Sequence, residues 1–361
     1  MVSRETTGDD VVRLAWPDTG AEEAAAVAEV LATGYLTQGP KVGEFERLLA
    51  EACGVEHAIA ASSGTAALHL ATLALGLAAG DEVIVPAYTF PATANVVALA
   101  GLRPVLVDVD PVTMNVDPAR VELRRRTKAI VPVHLFGRPA RVEELPTTTV
   151  IEDAAGALGA RRKGRPCGGL GLLGCLSFHP RKIVTTGEGG AVTTNDAGFA
   201  DDVRQLRNHG WKPPALADMP APGLNYRLSD ILCAVGIPQL RRLEELVATR
   251  ERIAAAYAER LAGLPVLVPE ADEGDRHGWQ AYVIQVDGRD DVLATLRAKG
   301  IEAQIGTYAL HRLSAYADQG PFPGADRVYE RALALPFHGR LTESDLERVA
   351  EALTEALAGR G

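Results

Sequence analysis

From residue 56 onward the chain alternates short β-prone runs with helical stretches, and that alternation leaves few folds open. Parallel neighbours in a sheet need long crossover connections, which helices supply, so the pattern predicts a mostly parallel sheet covered by helices. β-prone runs at 57–60, 82–85 and 104–107 are followed by helical stretches over 65–77, 92–99 and 118–124. Further strands read at 129–133, 149–152, 175–178 and 191–194, and the connection 138–148 leaves little room for a full helix. After residue 208 comes a loop carrying Pro213, Pro214, Pro220 and Pro222, then a helix over 229–246 that runs on through a second amphipathic helix to about residue 261. The remainder, with strands at 282–286 and 301–305 and helices at 290–299 and 343–357, suits a smaller α+β unit. A chain of 361 residues is long enough for two such units, a large one over 12–245 and a small one over 246–361.

Charge and cysteine usage narrow the function classes. The net charge is −10, and the basic runs are short (124–126 and 161–163), which argues against a protein that tracks a nucleic-acid backbone. Residues 1–10 are polar without a signal-peptide core, and no later run is apolar enough to span a bilayer, so a cytoplasmic protein is expected. Cys53, Cys167, Cys175 and Cys233 form no C-x-x-C pair and read as buried or free thiols, with neither metal nor disulfide assigned. The eight histidines make no close ligand cluster.

Three stretches carry chemistry. In "SFHPRKIVTTGEGG" (177–190), Lys182 lies between two β-prone runs, and a lysine held there loses hydration, which lowers its pKa and frees the amine to attack carbonyls. A solvated surface lysine is the ordinary alternative. In "ASSGTAAL" (61–68), small residues, hydroxyls and free N–H groups converge where a strand passes into a helix. That outlines a phosphate cradle, although Ser63 or Thr65 would serve equally as a plain helix cap. In "IEDAAGALGA" (151–160), Asp153 ends an apolar strand where open α/β sheets bind ligands, and a shielded carboxylate there can hold the proton of a heterocyclic nitrogen. A helix cap is again the alternative. Residues 169–174 fit G-x-G-x-x-G, but a strand rather than a helix follows, so they read as a flexible connection and not a dinucleotide fingerprint.

A phosphate cradle, an aspartate after a later strand and a lysine between strands are, in that order, the parts of a pyridoxal-phosphate enzyme. With "GYLTQGPKVGEFE" (34–46), "VPAYTFPATAN" (85–95), "PVHLFG" (132–137), "SFHPRKIVTTGEGGAVTTND" (177–196), "RNHG" (207–210), "GLNYRLSDILCAVGIPQL" (223–240) and "LALPFH" (333–338), the chain resembles the DegT/DnrJ/StrS family of sugar aminotransferases. The resemblance implies the fold type I aspartate-aminotransferase architecture and pyridoxal 5'-phosphate as cofactor. Lys182 would then bind the cofactor covalently, Asp153 would pair with its pyridine nitrogen, and Phe90 would stack on its ring. Ser63, Gly64, Thr65 and Ser177 would hold its phosphate, and Asn225 would reach the phosphate in a neighbouring subunit, which implies a homodimer with shared sites. The implied substrates are a nucleotide-linked keto-sugar and an amino donor, glutamate. Two departures stand out: Gly156 replaces the Gln or His usual three residues after the aspartate, and "IGTYALHRLSAY" (305–316) lacks the usual His-Tyr. The rival readings are a sugar dehydratase on the same fold, whose relatives replace the lysine with histidine, and a non-catalytic regulator.

Overall fold

The computed structural model describes residues 11–147, 149–212 and 218–358, so Pro213 and Pro214 of the proline-rich loop fall outside the described residues. Seven strands form the central sheet: β1 (His57–Ala61), β2 (Glu82–Pro86), β3 (Arg103–Val107), β4 (Thr127–Ile130), β5 (Ile151–Asp153), β6 (Leu173–Ser177) and β7 (Gly190–Thr194). Their order is β1-β7-β6-β5-β4-β2-β3, with the β5 and β4 lines joined through parallel bridges Ile130↔Val150 and Val133↔Asp153. Only β7 runs antiparallel to its neighbours, so the expected mostly parallel sheet is present. The antiparallel strand is the one that follows Lys182, which lies in the connection 178–189 between β6 and β7.

Helices cover both faces, as a sheet with apolar residues on each face requires. Ile59 and Val192 point into a core with the helices Gly64–Ala74, Ala92–Leu99 and Ala197–Arg207, whereas Ala58, Ala60 and Ala191 pack with the helices Pro40–Cys53 and Asp230–Arg241. A second, antiparallel sheet joins Val266–Leu267, Tyr282–Val286, Ala332–Leu335 and Gln304–Ile305. Its core includes Tyr257, Ile284, Leu296 and Val349, with the helices Arg289–Ala298 and Glu343–Ala358 packed against it. The helix Leu243–Arg260 serves both regions: Leu243 and Val247 join the first, Ile253 and Tyr257 the second.

Several elements depart from expectation. Residues 118–124 yield only a 3-10 turn, Pro118–Arg120, closed by Asp117 accepting from the Ala119 N–H at 3.1 Å. The helix expected over 229–246 breaks at Arg242, where Asp230–Arg241 gives way to Leu243–Arg260. The strand expected at 301–305 keeps only Gln304–Ile305, because Ile301 pairs with Val12 instead.

Candidate active site

A cavity of about 580 Å³ opens at the carboxyl ends of the central strands, between the two sheets. Ser63, Gly64, Thr65, Phe90, Asp153, Ser177 and Lys182 all line it; Asn225 does not, and is exposed one residue before Tyr226, whose carbonyl accepts the Ser62 N–H at 2.8 Å.

The cradle follows from one glycine. Ser63 caps the helix Gly64–Ala74, its hydroxyl accepting the Ala66 N–H at 3.1 Å, so the cap reading is correct for Ser63 and compatible with a cradle. The first N–H groups of that helix have no intrahelical acceptor and add to the positive end of its dipole. A Cβ at Gly64 would stand 2.7 Å from the Ser177 Cβ and 3.0 Å from its Oγ. Glycine alone lets the hydroxyl at the end of β6 come alongside that helix start, where an anion fits.

Asp153 is buried at the end of β5 and caps no helix, since residues 154–159 form turns. Its carboxylate accepts from the Thr93 hydroxyl at 2.7 Å and the Ala155 N–H at 3.2 Å, with no ion pair among the described residues. Two neutral donors leave acceptor capacity for a protonated ring nitrogen. The neighbouring Glu152 faces the opposite way, as strand alternation dictates. It takes N–H bonds from Gly168 (2.8 Å), Leu170 (2.6 Å) and Gly171 (2.7 Å). His134 Nδ1 accepts the Ala140 N–H at 2.8 Å, so its Nε2 carries the proton and donates to Glu152 at 2.8 Å. The glycine-rich run 169–174, expected to be a flexible connection, is therefore wound around a buried carboxylate that pins β5.

Lys182 follows β6 and is half-buried in the cavity wall. Burial pushes its ammonium below the ordinary lysine value; Asp153 nearby opposes this and Arg181 adds to it. The result is an amine deprotonated more readily than a surface lysine, facing the same space as the carboxylate and the cradle. Phe90, 61% exposed, lies at the mouth, edge-on to Tyr308 with ring centroids 6.3 Å apart. The segment 305–316 helps close the cavity: Gly306 and Thr307 line it, Thr307 N–H donates to the Tyr88 hydroxyl at 3.0 Å, and Tyr308–Ala309 pairs with Tyr88–Thr89.

Thr93, His134 and Gln280 were not singled out in the sequence. Thr93 lies within the quoted "YTFPATAN" stretch, but its partner is 60 residues away, and nothing local announces the pairing.

The cavity fits pyridoxal phosphate on its own terms, offering an anion cradle that a side chain at 64 would fill, a buried carboxylate with no ion pair among the described residues, and an amine with a lowered pKa. Comparison with known proteins agrees. The model of the DegT/DnrJ/EryC1/StrS aminotransferase family matches residues 17–354. The chain belongs to that family. A GDP-perosamine synthase from Caulobacter vibrioides is 40% identical over 364 residues, covering 96% of this chain and 98% of the relative. A DegT DnrJ EryC1 StrS aminotransferase from Brucella abortus is 37% identical in sequence, covering 93% of this chain and 95% of its own, with a TM-score of 0.87. The PLP form of the sugar aminotransferase Spr1654 from Streptococcus pneumoniae, described as putative, is 27% identical, with a TM-score of 0.91 over 97% of this chain and 99% of its own. As a member of the DegT/DnrJ/EryC1/StrS family, the protein is an aminotransferase dependent on pyridoxal phosphate with the fold type I architecture. Among the described residues no helix is long and apolar enough to cross a membrane.

Proposed function

We propose that the protein transfers an amino group, from glutamate, to the keto carbon of a nucleotide-linked deoxysugar. The observation that carries this reading is the convergence of Lys182, Asp153 and the Ser63-Gly64-Thr65-Ser177 cradle on one cavity. The 40% identity to a GDP-perosamine synthase supports a nucleotide-sugar substrate.

When bound, the cofactor supplies an electron sink for the pair released as the carbon–hydrogen bond beside the amino nitrogen breaks. Lys182 Nζ would hold the cofactor covalently through its aldehyde. Freed by an incoming substrate amine, the same nitrogen would take the proton from the substrate carbon and deliver it to the carbon on the far side of the amino nitrogen, a general acid and base in one residue. Its lowered pKa suits both tasks. Asp153 would keep the ring nitrogen protonated, and the Thr93 hydroxyl fixes the carboxylate for that contact. Ser63, Gly64, Thr65 and Ser177 would hold the phosphate and Phe90 would cover the ring. Asn225, exposed and not part of its own cavity's lining, suits the proposed role of reaching the partner subunit's phosphate in a homodimer. The proposed large and small units, 12–245 and 246–361, would meet at this cavity. Four buried, unpaired cysteines fit a reducing compartment, and the cytoplasm is the proposed location.

Incubation with glutamate and a panel of nucleotide-linked keto-sugars, followed by mass spectrometry, tests the reading. It predicts that one keto-sugar exchanges its oxygen for an amino group as glutamate becomes the keto acid. Amination of free amino-acid keto acids with no turnover of any sugar would overturn it.

A further inference from the structure

We infer that Gln280, carried in from beside the second sheet, is the cofactor's polar contact on the edge opposite the phosphate. The inference rests on pyridoxal phosphate occupying the cavity as described above. In that molecule the aldehyde lies across the ring from the nitrogen, and the phosphate arm and the phenolic oxygen flank the aldehyde on opposite edges. With the nitrogen at Asp153, the aldehyde at Lys182 and the phosphate at the ends of β1 and β6, the oxygen edge faces the β4 side of β5 in the sheet order.

Gln280 stands on that side. Its N–H donates to the Phe136 carbonyl at 3.0 Å in the loop after β4, and its own carbonyl accepts from Arg250 Nη1 at 3.1 Å. The preceding Trp279 takes a positive φ of 48°, and a Cβ at Gly137 would strike the Trp279 nitrogen at 2.7 Å, so the backbone is shaped to present residue 280. The side chain lies over Gly156: a Cβ built there would meet Gln280 Oε1 at 3.3 Å, Cβ at 3.4 Å and Cγ at 3.5 Å. Gly156 is outside the left-handed region, so the backbone does not demand glycine; the glutamine fills the room a side chain would use. Gln280 Nε2 donates to the Arg181 carbonyl at 3.3 Å, next to Lys182. A carboxamide nitrogen has two N–H groups, and the second is left for an acceptor in the cavity, which both Gly156 and Gln280 line.

An N–H donated to the phenolic oxygen draws charge from it, and the oxygen then holds the proton on the Lys182 nitrogen less firmly. The visible absorbance of the Lys182-bound cofactor reports that proton as pH is varied. In the holoenzyme, Gln280→Ala is predicted to raise the midpoint of this titration by about 0.5 to 1 pH unit, the worth of one neutral hydrogen bond. Gln280→Glu, of the same shape but with no N–H and an added negative charge, is predicted to raise it further. Adding Gly156→Gln to Gln280→Ala returns an amide to the same space and is predicted to bring the midpoint back. An unmoved midpoint in a folded Gln280→Ala, or in Gln280→Glu where the alanine variant does not fold, overturns the assignment and leaves the aminotransferase reading intact. A wild-type protein with no visible absorbance attached to Lys182 overturns both.

Discussion

At Lys182, burial and the carboxylate of Asp153 act in opposite directions on one ammonium, and burial prevails. Because the folded pKa is depressed, the neutral, nucleophilic amine is reached at a lower pH than for an exposed lysine. Cofactor uptake by the cofactor-free protein is predicted to accelerate with rising pH and to level off below the ordinary value of 10.5, as stopped-flow absorbance would record. A midpoint at or above that value would place the amine in water. Asp153→Asn keeps the size of the side chain but cannot hold a positive proton opposite it, and turnover is predicted to fall by about 10²- to 10⁴-fold with cofactor partly retained. Thr93→Val removes a donor 2.7 Å from that carboxylate, and a loss of roughly 10- to 100-fold is predicted, the worth of a hydrogen bond to a charge. Wild-type turnover in either variant, measured at saturating substrate, would contradict the pyridinium pairing. Lys182 and Asp153 were legible because short local patterns surround them. Thr93 and Gln280 were not, since each acts across the fold on a partner 60 or 99 residues distant.

Where local pattern and tertiary need agree, the elements matched expectation. The strands at 57–60, 82–85 and 191–194 and the helix over 92–99 lie where hydrophobic runs and turn residues set them. Where one long-range contact decides, sequence periodicity misled: Ile301 leaves its expected strand to bridge Val12, and residues 168–171 fold around Glu152 rather than hanging loose. That carboxylate holds three backbone N–H groups and the Nε2–H of His134 within a buried pocket. Glu152→Ala leaves these donors without an acceptor, and a loss of at least about 3 kcal/mol in unfolding free energy is predicted by denaturant titration. An unchanged midpoint would show that the loop and β5 stand without the carboxylate.

Across the whole molecule the cavity is a product of assembly, drawing Ser63 from one edge of the central sheet, Asp153 from its middle, and Thr307 and Gln280 from the second sheet's side. Asn225 completes the proposed site only across a dimer, so light scattering is predicted to give twice the chain mass. Asn225→Ala is predicted to release cofactor faster, with melting of the cofactor-free protein unchanged. A fully active monomer would contradict the shared site. The motifs displayed the family and the fold class, but the cavity's far wall arises from segments whose own sequence carries no chemical signature. The most direct test of the account is where the cofactor is attached. Borohydride reduction of the holoenzyme followed by peptide mass spectrometry is predicted to find one added pyridoxyl phosphate per chain, on Lys182. A label on any other lysine, or none on a protein that still transaminates, would contradict it.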